Sequence, residues 1–273
     1  MVREGDDGGG GQGLTLPWSR RPRGGPGVVD RATRVAVRPD DARGFCALHV
    51  AHEGDAALGE VGVRLGEDGA FGCWTYSYPG YGTFSRDLLD SVNEILFLER
   101  QLKLSERARF TALDIGAGYG RLAHRMVSAY PQLEDYCCVD AIPESTFVSD
   151  YYLGFRGCKP RARAVPLSAI DAELEPGSFD LAIGVHSFSE IPYAAVEWWV
   201  QLLQRLAVPL LFVVPNEPTE LLTLEPGGER RDFMPVLERA GYRLVTREPA
   251  LEDPAVRELV RVQDHFHLFE RRG

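Results

Sequence analysis

The stretch Phe110-Thr111-Ala112-Leu113-Asp114-Ile115-Gly116-Ala117-Gly118-Tyr119-Gly120-Arg121-Leu122-Ala123 decides how the rest of the chain is read. The apolar run from Phe110 to Ile115 predicts a buried parallel strand. Leu122, Ala123, Met126, Val127 and Tyr130 then recur at helical spacing. Gly116, Gly118 and Gly120 therefore fall in a strand-to-helix turn. Glycine suits such a turn because it accepts positive φ and has no Cβ, so a ligand can lie directly on backbone amides at the positive end of the following helix. A carboxylate or a phosphate would suit that place.

Two ligand classes use turns of this kind, and the spacing separates them. A dinucleotide fingerprint requires G-x-G-x-x-G, whereas this turn reads G-x-G-x-G with Arg121 in the next slot. Asp114, two residues before the first glycine, disfavours a pyrophosphate and suits a cationic amino group. The pattern resembles motif I of class I S-adenosylmethionine-dependent methyltransferases. That resemblance implies S-adenosyl-L-methionine as cofactor, held around Asp114, Gly116, Ala117, Gly118 and Gly120.

Composition narrows the class. The 273 residues are 44% hydrophobic, ordinary for a globular protein and enough for one full α/β domain plus an extension. No apolar run approaches the ~20 residues of a membrane span, and no signal-peptide core opens the chain, so a cytoplasmic protein without membrane contact is expected. A net charge of -10 argues against nucleic acid as the main partner and for a small-molecule acceptor. Cys46, Cys73, Cys137, Cys138 and Cys158 contain no C-x-x-C pair and read as reduced thiols, with no metal site expected.

Residues 1–27 are rich in glycine and arginine and poor in apolar side chains, which predicts a disordered arm. Residues 28–107 read as a cap or lid region. Within it Phe71, Trp74, Tyr76, Tyr78, Tyr81 and Phe84 are interleaved with glycine and proline. Such aromatics suit either a lid over a small-molecule site or the packing of a small cap, and both readings stand. Ser85 is the expected N-cap of an entry helix reaching Leu102, with Leu88, Leu89, Val92, Ile95 and Leu96 inward and Asp87, Glu94 and Arg100 outward.

Residues 108–273 read as the cofactor-binding domain. Tyr136 to Asp140 is the second strand, and Asp140, with Ala141 beside it, stands where a carboxylate accepts bonds from both ribose hydroxyls in a doubly wound sheet. Pro143 opens a helix. Ala162 to Pro166 is the third strand, with Leu167 and Ser168 where adenine would be bracketed. Phe179 to His186 is the fourth and Pro209 to Val214 the fifth, while Pro192 begins a helix between them. A helix over Asp232 to Ala240 and strands at Tyr242 to Thr246 and His265 to Glu270 complete the pattern. The expected fold is therefore α/β, a Rossmann-like seven-stranded class I methyltransferase sheet with an N-terminal cap region.

Methyl transfer to a hydroxyl needs alignment, exclusion of water and removal of a proton. His186, where the fourth strand meets its loop, is the candidate base as well as a wall of the cofactor site, and Glu190 is the candidate group to orient it. The other histidines lack metal-ligand company at a convincing spacing.

A closer resemblance rests on Tyr119 to Ala123, Val139-Asp140-Ala141-Ile142-Pro143-Glu144, Asp150 to Leu153, and His186-Ser187-Phe188-Ser189-Glu190-Ile191-Pro192. Together with Ser85 to Ser91 ahead of them, these are similar to the sugar O-methyltransferase family over roughly Tyr81 to Phe269. The resemblance implies O-methylation of a sugar or glycosylated small molecule in a biosynthetic pathway. Tyr78, Tyr81, Phe188 and Asn216 are the candidate acceptor contacts, and a homodimer is compatible with this reading. N- or C-methylation of a natural product, a nicotinamide-dependent oxidoreductase and a non-catalytic cofactor-binding protein are the alternatives.

Overall fold

The computed structural model describes Val28–Val29, Ala36–Val37, 66–77 and 83–271, so the expected arm over 1–27 and the candidates Tyr78 and Tyr81 lie outside the described residues. Strands β1 (Val28–Val29) and β2 (Ala36–Val37) pair antiparallel within a unit of their own, Met1–Asp40. All the elements that follow belong to the second unit.

Strands β3 (Thr75–Ser77) and β4 (Thr83–Ser85) pair antiparallel and lead into the entry helix α1 (Arg86–Leu102). Ser85 caps that helix, its hydroxyl accepting from the Leu88 amide at 2.9 Å. Lys103, in the left-handed region at φ 51°, ends it. Leu88, Leu89, Val92, Ile95 and Leu96 are buried, as their spacing predicts. Glu94 departs from its expected outward place: it is only 3% exposed. The physical reason is a partner far along the chain, Arg121, which pairs with it at 3.0 Å.

The main sheet is built from β5 (Phe110–Ile115), β6 (Leu133–Asp140), β7 (Ala162–Pro166), β8 (Leu181–Val185), β9 (Leu210–Val214), β10 (Tyr242–Pro249) and β11 (His265–Arg271). Its order is β10-β11-β9-β8-β5-β6-β7. The pairs from β7 across to β9 are parallel, while β11 runs antiparallel to both neighbours. Seven strands in this order, with one late antiparallel strand slotted inside the edge, make the expected seven-stranded α/β sheet. β6 starts three residues earlier than its apolar run suggests because Leu133 is buried opposite Phe110. β8 is shorter than expected at both ends. Asp180 leaves the ladder to accept from the Thr111 amide and hydroxyl, and His186 turns out of it at φ 62°.

Helices cover both faces. On one lie α1, α2 (Arg121–Ala129) and α3 (Pro143–Phe155); on the other lie α4 (Ile170–Glu173), α5 (Tyr193–Arg205) and α6 (Met234–Arg239). β5 serves both layers, with Phe110 and Ala112 packed on one side and Leu113 and Ile115 on the other. The connection between the last two strands carries α7 (Pro254–Val260), capped by Asp253. Among the described residues no helix is long and apolar enough to cross a membrane.

Candidate functional site

The chain crosses from β5 outward to β6 and β7, then returns to place β8 on the other side of β5. Strand order reverses at β5, and in open α/β sheets ligands bind at the C-terminal ends of the strands at such a point. The glycine turn occupies that position. Gly116 donates to the Val139 carbonyl at 2.8 Å and Gly118 to Asp140 Oδ2 at 3.2 Å, which ties the turn to the end of β6.

Two of the glycines answer different needs. Gly116 has φ 75°, and a Cβ there would overlap the Cβ of Ser187 in the loop after β8. It is glycine because two loops of the site meet at that point. Gly118 has φ 57°, and a Cβ there would meet nothing within 4 Å. That side of the turn is open, which is where a ligand can lie on the backbone.

Asp140 stands at the end of β6 with both oxygens engaged by amides, Oδ1 by Ile142 at 2.8 Å and Oδ2 by Gly118. Burial raises its pKa, and these two amides work against that rise. Each carboxylate oxygen has a second lone pair, so the group can still accept from a diol. Ala141 and Ile142 follow it on the surface, and Leu167 and Ser168 are exposed in the turn after β7. Ile142 at 45% and Leu167 at 42% exposure supply apolar surface at the ends of neighbouring strands.

Asp114 is only 4% exposed and accepts from the Tyr136 hydroxyl at 2.8 Å. Burial pushes its pKa up to about 6, against the pull of Tyr136 and Arg121. It therefore lies beneath the turn. Gly120 caps α2 and packs under Ser149, and Ala117 donates to Val139 and accepts from Gly120.

On the other side of β5, His186 holds φ 62°, a strained conformation for a side chain of this size. Its amide donates to Val214 at 2.7 Å, and its Nδ1 is buried without a partner among the described residues. Glu190 is exposed, and the expected hydrogen bond orienting His186 is not made. Glu190 closes the 3-10 turn Ser187–Ser189, its backbone amide donating to the Ser187 carbonyl at 3.2 Å.

Phe188 corrects an expectation. It is 1% exposed and lies edge-on to Phe233 with ring centroids 5.8 Å apart, so it packs the core and does not meet an acceptor. Asn216 is exposed after β9, its amide donating to Ser189 at 3.2 Å. The loops after β5, β6, β8 and β9 thus share one edge.

Sequence reasoning missed three groups. Glu217 pairs with Arg230 through one oxygen and leaves the other buried without a partner; Ser187 keeps a buried, unpartnered hydroxyl. Arg121 is pinned to α1. Arg121, directly after the last glycine, and Ser187, directly after His186, carried a signal. Among the described residues no cluster of three His, Cys, Asp or Glu side chains could hold a metal ion.

The sequence matches no protein-family model and no curated protein. Among solved structures the chain is similar to an S-adenosylmethionine dependent methyltransferase from Mesorhizobium loti, with 14% identity, 66% of this chain and 98% of that one covered, and a TM-score of 0.46. It is also similar to geranyl diphosphate C-methyltransferase from Streptomyces coelicolor A3(2), in complex with Mg2+, geranyl diphosphate and S-adenosyl-L-homocysteine, with 8% identity, 66% and 81% covered, and a TM-score of 0.46. A third is the cyclase SpnF, with 13% identity, 85% and 96% covered, and a TM-score of 0.48. At these identities the likeness is one of fold, and the chemistry has to be read from this chain's own residues.

Proposed function

We propose that this protein is an S-adenosylmethionine-dependent methyltransferase whose acceptor is a hydroxyl of a sugar or glycosylated small molecule. One observation carries the cofactor half of this reading: the open side of Gly118 lies at the switch point of the sheet, beside the Asp140 carboxylate. Asp140 fits a ribose diol, Ile142 and Leu167 fit the faces of a purine, and Ala141 and Ser168 fit its rim. When bound, the sulfonium supplies an activated methyl group. Asp114, buried under the turn, supports the strand end from which the turn springs.

His186 provides the proton acceptor. Its backbone, at φ 62°, sets His186 at the end of β8, next to Ser187, whose Cβ lies against Gly116. A sugar hydroxyl is far too weak an acid to ionise near neutrality, so the base takes its proton as the new bond forms. Asn216, exposed on the loop after β9, serves the acceptor. The missing Glu190 contact favours a second reading, transfer to an amine nitrogen, which is nucleophilic once unprotonated and needs a weaker base.

Calorimetry with S-adenosylhomocysteine and with NAD tests the cofactor. Affinity for the first alone is expected; affinity for NAD alone would replace a methyltransferase with an oxidoreductase. Incubation with S-adenosylmethionine and a panel of sugar nucleotides, glycosides and amines, read by mass spectrometry, tests the acceptor. Methylation of amines only would overturn the sugar assignment.

A further inference from the structure

The residues that follow the open glycine are tied to a helix that lies outside the cofactor-binding domain expected from sequence. Arg121, the first residue of α2, reaches α1 with both terminal nitrogens of its guanidinium. Nη1 donates to Ser91 Oγ at 2.7 Å, to the Asp87 carbonyl at 3.2 Å and to Glu94 Oε2 at 3.2 Å, while Nη2 donates to Glu94 Oε1 at 3.0 Å. Tyr119 adds a parallel tie, its hydroxyl donating to Asp87 Oδ2 at 2.8 Å. Asp87, Ser91 and Glu94 are spaced i, i+4, i+7 and so present one face of α1 to the turn. On the far side of the turn Asp140 holds the Gly118 amide. Gly118 is thus suspended between two anchors, and only one of them is positioned to touch a ligand.

The Arg121–Glu94 pair is an expensive way to hold a protein together. Both side chains are largely withdrawn from water, at 19% and 4% exposure. Replacing such a pair by apolar groups of similar volume is often neutral or stabilising, because the desolvation of two charges offsets their attraction. What the pair supplies that apolar groups cannot is direction, since a forked guanidinium on a carboxylate fixes the backbone that carries it.

We propose that Arg121, oriented by Glu94, is a positioning residue that sets the conformation of the cofactor turn, so that α1 acts on cofactor affinity without touching the cofactor. The proposal rests on the reading that this turn binds S-adenosylmethionine. It makes the entry helix part of the cofactor site, a wall behind the turn whose acidic face is read by Tyr119 and Arg121.

The test is the double variant Glu94→Leu with Arg121→Met, alongside Tyr119→Phe, with thermal unfolding measured without ligand and S-adenosylhomocysteine affinity measured by calorimetry below the unfolding range. The double variant is expected to unfold within a few degrees of the wild type, yet to bind about tenfold or more weakly, within the range of coupling found in hydrogen-bonded networks. Tyr119→Phe keeps its ring on Tyr152, 5.2 Å away edge-on, and loses only the Asp87 tie. It is expected to weaken binding about threefold with unfolding unchanged. A merely structural role would lower the unfolding temperature and leave affinity intact in the folded protein. Wild-type affinity in a folded double variant overturns the proposal, and if that variant does not fold, unchanged affinity in Tyr119→Phe overturns it instead. A wild-type protein that binds no S-adenosylhomocysteine would overturn the reading of the turn itself, a different outcome from either.

Discussion

At the strand ends the two sides of β5 handle their polar groups in opposite ways. On the β6 side the charged groups at the turn and strand ends are paired, Asp140 with two amides, Asp114 with Tyr136 and Arg121 with Glu94, and the buried atoms without a partner, Arg125 Nε, Ser149 Oγ and Arg156 Nε, lie on the helices behind them or at their ends. On the β8 and β9 side His186 Nδ1, Ser187 Oγ and Glu217 Oε2 are buried with no partner among the described residues. Buried polar atoms are nearly always hydrogen-bonded, and on this side these three exceptions all fall on the loops that follow β8 and β9. The contrast suits a site with one standing half, shaped for a cofactor, and one half completed by the acceptor.

The largest expected effect comes from the unpaired half. His186→Ala should lower turnover by about 10²–10⁴-fold while S-adenosylhomocysteine affinity stays within a few-fold, because a positioned base acts on the chemical step and not on the cofactor. Full turnover at every pH would remove the contrast's meaning for His186. Glu190→Gln should change little, since the exposed carboxylate makes no bond to the imidazole.

Next comes the paired half. Asp140→Ala removes an acceptor for two amides and for a ribose, and should weaken S-adenosylhomocysteine binding by roughly 10–100-fold, equivalent to one or two charge-assisted bonds. Acceptor KM should stay near its original value. A change confined to acceptor KM would mean that the two halves are assigned the wrong way round.

Gly116→Ala probes the seam. Positive φ and overlap with Ser187 should together cost about 2 kcal/mol, read as a drop of several degrees in unfolding temperature. Because the displaced neighbour adjoins His186, turnover should fall in the folded variant as well. An unchanged unfolding temperature would show that the loops do not press on each other.

The smallest effect is a pH dependence within the paired half. Burial pushes the folded pKa of Asp114 up to about 6, from its ordinary value of 3.8. A raised carboxylate pKa means that the native state takes up a proton which the unfolded chain does not. The stability this group contributes is therefore present below about pH 4 and is lost as pH rises through 6. Relative to Asp114→Asn, the wild type should gain about 1 kcal/mol between pH 7 and pH 5 by denaturant titration. Parallel curves would place Asp114 in contact with water.

Much of this fold was legible in the chain because its signals are local. A strand, a positive-φ turn and an amphipathic helix each declare themselves within a dozen residues, so β5, the glycine turn, α2, the Ser85 cap and the acid at the end of β6 were all placed from sequence. The misreadings share a cause. Glu94 was assigned to solvent because a carboxylate on a helix is ordinarily solvated, and Phe188 to the acceptor because an aromatic beside a strand end so often lines a pocket. In both cases a partner distant in sequence decided: Arg121 for Glu94, and Phe233 for Phe188.

By itself the sequence determined the kinds of element, their succession and the residues at each strand end, since backbone propensity and apolar period act over a few neighbours. Only the tertiary structure decided that β8 lies beside β5, that α1 grips the turn through Arg121, that Glu190 stands clear of His186, and which polar atoms are left without partners. Those outcomes depend on which distant groups share a buried volume. Desolvation and hydrogen-bond satisfaction are properties of that volume, and no stretch of chain carries them alone.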